Sequence, residues 1–135
     1  MNAVWMIFLV LIVFFLVLLF SPKDEYLESF KPIVQKILVE SKQNPLQEVQ
    51  FRKSKDKSYT LDKQKIYMVT ERENGQKYNQ DTILFVLLHE VAHILSPDEH
   101  HTTKFFEIEK KLHKKAIELG FLKISKVEKD YPCAN

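Results

Sequence analysis

The sequence predicts an α+β fold. An N-terminal transmembrane helix leads into one small domain with a three-stranded sheet, a central helix and a C-terminal helix. Three observations predict it. The first 20 residues carry a single polar side chain, Asn2, while all 20 Lys/Arg and all 18 Asp/Glu follow Pro22. Val49 and Phe51 alternate with polar neighbours, and after a charged turn Tyr59 to Leu61 and the more buried Lys65 to Thr70 read as two further strands. Up to Leu95, and again from Thr103 to Leu119, apolar residues recur at helical spacing.

The N-terminal run from Ala3 to Phe20 is apolar without a break. As a helix it rises about 27 Å, close to the ~30 Å hydrocarbon core of a bilayer. Trp5 near one end suits an interface. A cleaved signal peptide would need a basic start and a small-residue cleavage site. The chain has Met1-Asn2-Ala3 at one end and Leu19-Phe20-Ser21-Pro22-Lys23 at the other. Residues 1–20 are therefore expected to be a single-pass anchor that touches the membrane through residues 3–20. Lys23, Lys31 and Lys36 follow the run, so the positive-inside rule puts the domain of residues 21–135 on the cytosolic side. The lone Cys133 agrees with a reducing compartment.

The remaining 115 residues are roughly 37% hydrophobic, an ordinary soluble composition. Ser21-Pro22 with Asp24 and Glu25 reads as a helix start. Tyr26, Leu27, Phe30, Ile33, Val34, Ile37 and Leu38 then recur at helical spacing. Pro32 should kink or restart that helix, and Asn44-Pro45 should end it. Strands are expected near 47–53, 59–61 and 65–70, in an antiparallel sheet, with Asn74-Gly75 as a turn. Asn79 or Asp81 caps the next helix, which is apolar enough to be the buried centre of the domain and stops at Ser96-Pro97. Thr102 or Thr103 starts the last helix, with Phe105, Ile108, Leu112, Ala116 and Leu119 on one stripe and Gly120 as its stop. The tail from Phe121 could add a short strand.

Composition excludes several functions. Two glycines, Gly75 and Gly120, cannot build a phosphate-cradling loop. One cysteine excludes an intramolecular disulfide framework and a Cys-rich zinc site. A net charge of +2 gives no electrostatic case for direct nucleic-acid binding.

Four of the five histidines lie between positions 89 and 101. His89-Glu90-Val91-Ala92-His93 is an HExxH motif. On a helix, i and i+4 share a face, so both imidazoles can reach one Zn2+. Glu90 then sits beside the metal, free to accept a proton from its water. Such polar groups in a core helix would be costly without a task. The third ligand is open on spacing alone. Position 99 is Glu99, without the glycine the metzincin pattern requires. Glu107 and Glu109 are candidates from the following helix. His100 and His101 can turn back toward the motif after the Ser96-Pro97 break.

Leu87 to His93, then seven residues, then His101-Thr102-Thr103-Lys104-Phe105 resembles the SprT/WLM (Spartan-like) zinc metallopeptidases. It is most similar to the compact, membrane-anchored versions of large DNA viruses. The resemblance takes in Tyr59 to Tyr67, the Asn74-Gly75 turn, Lys115 to Phe121 and Tyr131-Pro132-Cys133, over roughly residues 45–133. It implies a zincin-like domain in which His89, His93 and His101 ligate Zn2+ and Glu90 is the general base. The adjacent His100 departs from the pattern and competes with His101. His113 reads as an ordinary helix-surface residue with Glu109 as an i,i+4 partner.

The implied activity is peptide hydrolysis through a Glu90-activated, zinc-bound water, at a viral or virion membrane. His100, Tyr78 and Tyr131 are candidates for stabilising the oxyanion. The Lys65–Thr70 strand or its neighbour could align the substrate by strand addition. The alternative, from another class, is a non-catalytic zinc-bearing structural or interaction module of a membrane or virion. A third is an anchored protease acting on nucleic-acid-associated proteins, which the near-neutral charge disfavours. Neither the substrate nor the oligomeric state is legible.

Overall fold

A computed structural model describes residues 2–19, 23–98, 100–123 and 126–132. The elements run α1 (Ala3–Leu19), α2 (Glu25–Glu28), α3 (Lys31–Glu40), β1 (Gln50–Ser54), β2 (Tyr59–Leu61), β3 (Lys65–Val69), α4 (Gln80–Leu95) and α5 (Thr103–Glu118). The architecture is α+β with one three-stranded sheet.

Among the described residues no helix is long and apolar enough to cross a membrane. α1 is apolar along its length and none of its residues is buried. Its 17 residues rise about 26 Å, short of a hydrocarbon core of about 30 Å. The longer run counted in the sequence included Phe20, which lies outside the described residues. This corrects two expectations: the transmembrane anchor over residues 1–20 and the single-pass, cytosol-facing placement.

The expected helix after Pro22 divides in two at Pro32, which occupies the first turn of α3. Proline cannot donate the hydrogen bond an interior turn needs, but at a helix start that donor has no intrahelical partner anyway. Asp24 caps α2 through Oδ1, which accepts from the Leu27 N–H at 3.0 Å. Ser21 and Pro22 of the expected helix start lie outside the described residues, as do Glu99 and Cys133. α3 stops before Asn44-Pro45, because Lys42 turns left-handed (φ 58°) and the Gln43 N–H closes on the Leu38 carbonyl at 2.9 Å.

The sheet order is β1-β3-β2. β2 and β3 are antiparallel, with Tyr59 opposite Tyr67 and Leu61 opposite Lys65. β1 and β3 are parallel, with Phe51 opposite Ile66. The all-antiparallel expectation therefore holds for the hairpin alone. Residues 55–58 carry the chain from one edge of the sheet to the other, and β3 fills the gap between. The β2–β3 turn uses Asp62 and Lys63, both left-handed at φ 52° and 54°, the conformation that matches the twist of a tight hairpin. β3 is paired on both sides, so it offers no free edge for strand addition; β2 pairs with β3 alone among the described strands.

One face of β3 presents Ile66 and Met68 to the core, where α4 packs on it. On the other face Tyr59 and Tyr67 stack with ring centroids 4.7 Å apart. Leu27, Phe30, Val34, Ile37 and Leu38 bury the α2–α3 stripe, and Phe105, Leu112 and Ala116 that of α5. α4 is the centre: Ile83, Leu84, Leu87, Leu88, Val91 and Ala92 are all buried. Gly120 takes φ +80° directly after α5, as a helix stop requires.

The tail forms no strand among its described residues. Side chains hold it instead. Arg72 Nε donates to Asp130 Oδ2 at 2.6 Å and Nη2 to Glu128 Oε1 at 3.2 Å. A closed circuit then runs from the Val69 N–H to Ser58 Oγ (2.9 Å), on to the Tyr131 hydroxyl (2.6 Å), and back to the Val69 carbonyl (2.7 Å). It satisfies both main-chain groups of Val69 in the absence of a further strand.

Candidate metal centre

Local chemistry sets both ends of α4. Asn79 Oδ1 accepts from the Thr82 N–H at 2.7 Å and starts the helix. Ser96 leaves the helical conformation at ψ 137° before Pro97. Lys63 Nζ donates to the Ser96 carbonyl at 2.5 Å, tying the β2–β3 turn to this break. Ser96 Oγ accepts from the Asp98 N–H at 3.3 Å, and Thr102 Oγ1 donates to Asp98 Oδ2 at 3.0 Å. Thr102 also caps α5, accepting from the Phe105 N–H. The connection between the helices is therefore held at several points, and His101 lies within it.

That loop returns His101 to α4. Nitrogens of His89, His93 and His101 all lie within 4.8 Å of one another. Ring centroids are 5.0 Å apart for His89 and His93, 5.2 Å for His89 and His101, and 4.8 Å for His93 and His101. The Nε2 atoms of His93 and His101 are 3.0 Å apart. Two nitrogens at tetrahedral positions about 2.0–2.1 Å from one zinc would be about 3.3 Å apart. Phe105 closes the inner side, its ring 4.3 Å from His93 and 5.1 Å from His89. Burial, with His89 and His101 alongside, pushes the His93 pKa down to about 4. A neutral imidazole is the form that ligates a metal.

Glu90 is buried, at 3% exposure. Thr60 on β2 donates its hydroxyl to Glu90 Oε2 at 2.6 Å and lies 3.2 Å from the Glu90 carbonyl. Burial raises the Glu90 carboxyl above its ordinary range, against the opposing effect of the Thr60 hydrogen bond and of His89.

His89 turns Nδ1 to the carboxylate of Glu109 on α5. Burial opposes charge on Glu109, but the His89 hydrogen bond and the surrounding histidines hold its carboxyl below the ordinary value.

The sequence candidates thus separate. His89, His93 and His101 come together beside Glu90. His100 is exposed and outside this group, and Glu109 faces His89 as a hydrogen-bond partner. Tyr78 and Tyr131 commit their hydroxyls to the carbonyls of Asp130 and Val69, which leaves neither poised for an oxyanion. His113 is half-buried on α5: its ring stacks on Phe85 at 3.9 Å and its Nε2 meets the Phe85 carbonyl at 3.0 Å. Burial lowers its pKa, against that hydrogen bond. Sequence reasoning missed the roles of Thr60 and Glu109. The signal for Glu109 was present: it sits four residues after Phe105, on the flank of the α5 stripe that meets α4.

Two viral proteins are similar to this chain. Uncharacterized protein 136R of Invertebrate iridescent virus 6 is 30% identical over 106 residues, 76% of this chain and 57% of that one. Uncharacterized protein 042R of Invertebrate iridescent virus 3 is 40% identical over 65 residues, 47% of this chain and 41% of that one. The chain spans about half the length of these curated relatives. The sequence matches no family model, and no solved structure matches it.

Proposed function

We propose that this domain is a zinc-dependent peptidase of the SprT/WLM type. The observation that carries the reading is the convergence of His89, His93 and His101 beside the buried carboxylate of Glu90. Three imidazole ligands fit zinc and leave a fourth position for a water or substrate oxygen. Bound there, zinc would lower the pKa of a water and polarise the scissile carbonyl.

The chain's own residues divide the remaining work. Glu90 takes the proton of the attacking water and delivers it to the leaving amine. Thr60 fixes one carboxylate oxygen of Glu90 through its hydroxyl, so the other oxygen is free to face the water. β2 carries Thr60 and lacks a second strand partner among the described residues. Its open edge runs beside Glu90 and offers main-chain groups to an extended peptide. The presence of a buried carboxylate between the histidines favours this reading over a purely structural zinc module, which has no use for it.

Removing metal tests the proposal. Cleavage of an unfolded protein substrate should stop in the presence of a strong chelator and return when about one equivalent of Zn2+ per chain is restored. Cleavage that persists after complete metal removal would reject it.

A further inference from the structure

We infer that Glu109 is the positioning residue for His89: its carboxylate selects the His89 tautomer and thereby sets the affinity of the three-histidine site for zinc. This rests on the zinc reading above and concerns a residue outside the ligand set.

The geometry is specific. An ionised carboxylate can only accept, so the His89 Nδ1 facing Glu109 must carry the proton. A neutral imidazole has one N–H, and with it placed on Nδ1 the lone pair is left on Nε2. His89 then donates toward α5 and keeps Nε2 available for the other two histidines. Without an acceptor at Nδ1 the ring would divide between tautomers and orientations, and part of the population would present a proton where a metal must bind.

Packing makes the contact rigid. Both side chains are mostly buried, with 23% exposure for His89 and 18% for Glu109. Phe105, one turn before Glu109, packs edge-on against the His89 ring at 5.1 Å between centroids. The ring is thus held by an edge-on aromatic contact and a hydrogen bond from the same helix. The carboxylate also supplies negative charge beside the three imidazoles, which favours a divalent cation.

A competition titration with a chromophoric zinc chelator, run on the full chain, tests this. Glu109→Ala should weaken zinc binding by about 10-fold, the lower end of the 10- to 100-fold range for such partners. The lower end is expected because water can enter the groove lined by Phe85, Glu109, His113 and Ile117 and replace part of the acceptor. Glu109→Gln, which keeps an acceptor oxygen and the shape, should recover part of the loss. Glu107→Ala on the exposed side of the same helix should bind as wild type. Nitrogen-15 NMR of the metal-free chain supplies a readout that packing damage would not imitate: His89 should carry its proton on Nδ1 in the wild type and on both nitrogens in Glu109→Ala. Unchanged zinc affinity in Glu109→Ala, or a wild-type His89 protonated on Nε2, would overturn the inference. A wild type that binds no zinc would instead overturn the peptidase reading, and the tautomer measurement would still decide the role of Glu109.

Discussion

Glu90→Gln should retain zinc and lose hydrolysis, by about 10²–10⁴-fold, the usual contribution of a positioned general base. The substitution preserves shape, so Thr60 can still donate to the Gln oxygen where it now reaches Glu90 Oε2 at 2.6 Å. It removes a charge that burial already disfavours at this position, so the fold should not suffer. The three imidazoles are untouched, so zinc stoichiometry should be that of the wild type. What disappears is the carboxylate placed to take a proton from water and return it to the amine. Rates of peptide-bond cleavage measured at equal zinc occupancy check this. A variant that cleaves at the wild-type rate would remove Glu90 from the mechanism.

The second large effect separates two adjacent histidines. His101→Ala should weaken zinc binding by more than the about 10- to 100-fold that loss of a ligand's hydrogen-bond partner costs. His100→Ala should leave it unchanged. The reason is local. Thr102 is fastened to Asp98 and caps α5, so residue 101 is turned back toward α4, with Nε2 3.0 Å from that of His93. Residue 100 stands outside the cluster, and its carbonyl accepts from the Thr102 N–H at 2.9 Å. Zinc affinities of the two variants, measured side by side, give the answer. Equal losses, or the larger loss in His100→Ala, would reassign the third ligand.

The periodic elements were readable because each carries its own signal. The α4 stripe, the Asn79 cap and the Ser96-Pro97 stop lie close together in the chain and act locally. The same holds for β2, β3, the Asn74-Gly75 turn and the α5 stripe. The parallel pairing of β1 with β3 was not readable, because alternation along a strand says which face is buried and nothing about its neighbour. Among the described residues the tail forms no strand, for a related reason: Tyr131 and Arg72 form contacts with partners more than 50 positions away, and spacing cannot show those. The HExxH spacing placed two histidines on one helix face with Glu90 next to them, but the third histidine depended on a loop whose hydrogen bonds become visible only in three dimensions. The N-terminal run shows the limit of counting. Its apolar character was plain, yet the described helix is one residue short of the run and too short to cross a membrane.

X-ray absorption at the zinc edge of the loaded wild-type chain tests the central claim most directly. The account predicts three imidazole nitrogens at about 2.0–2.1 Å and one further oxygen from solvent. Loss of one imidazole from the spectrum on His101→Ala should follow. A site closed by a fourth protein ligand, or a sulfur at about 2.3 Å, would contradict an open hydrolytic centre built from His89, His93 and His101.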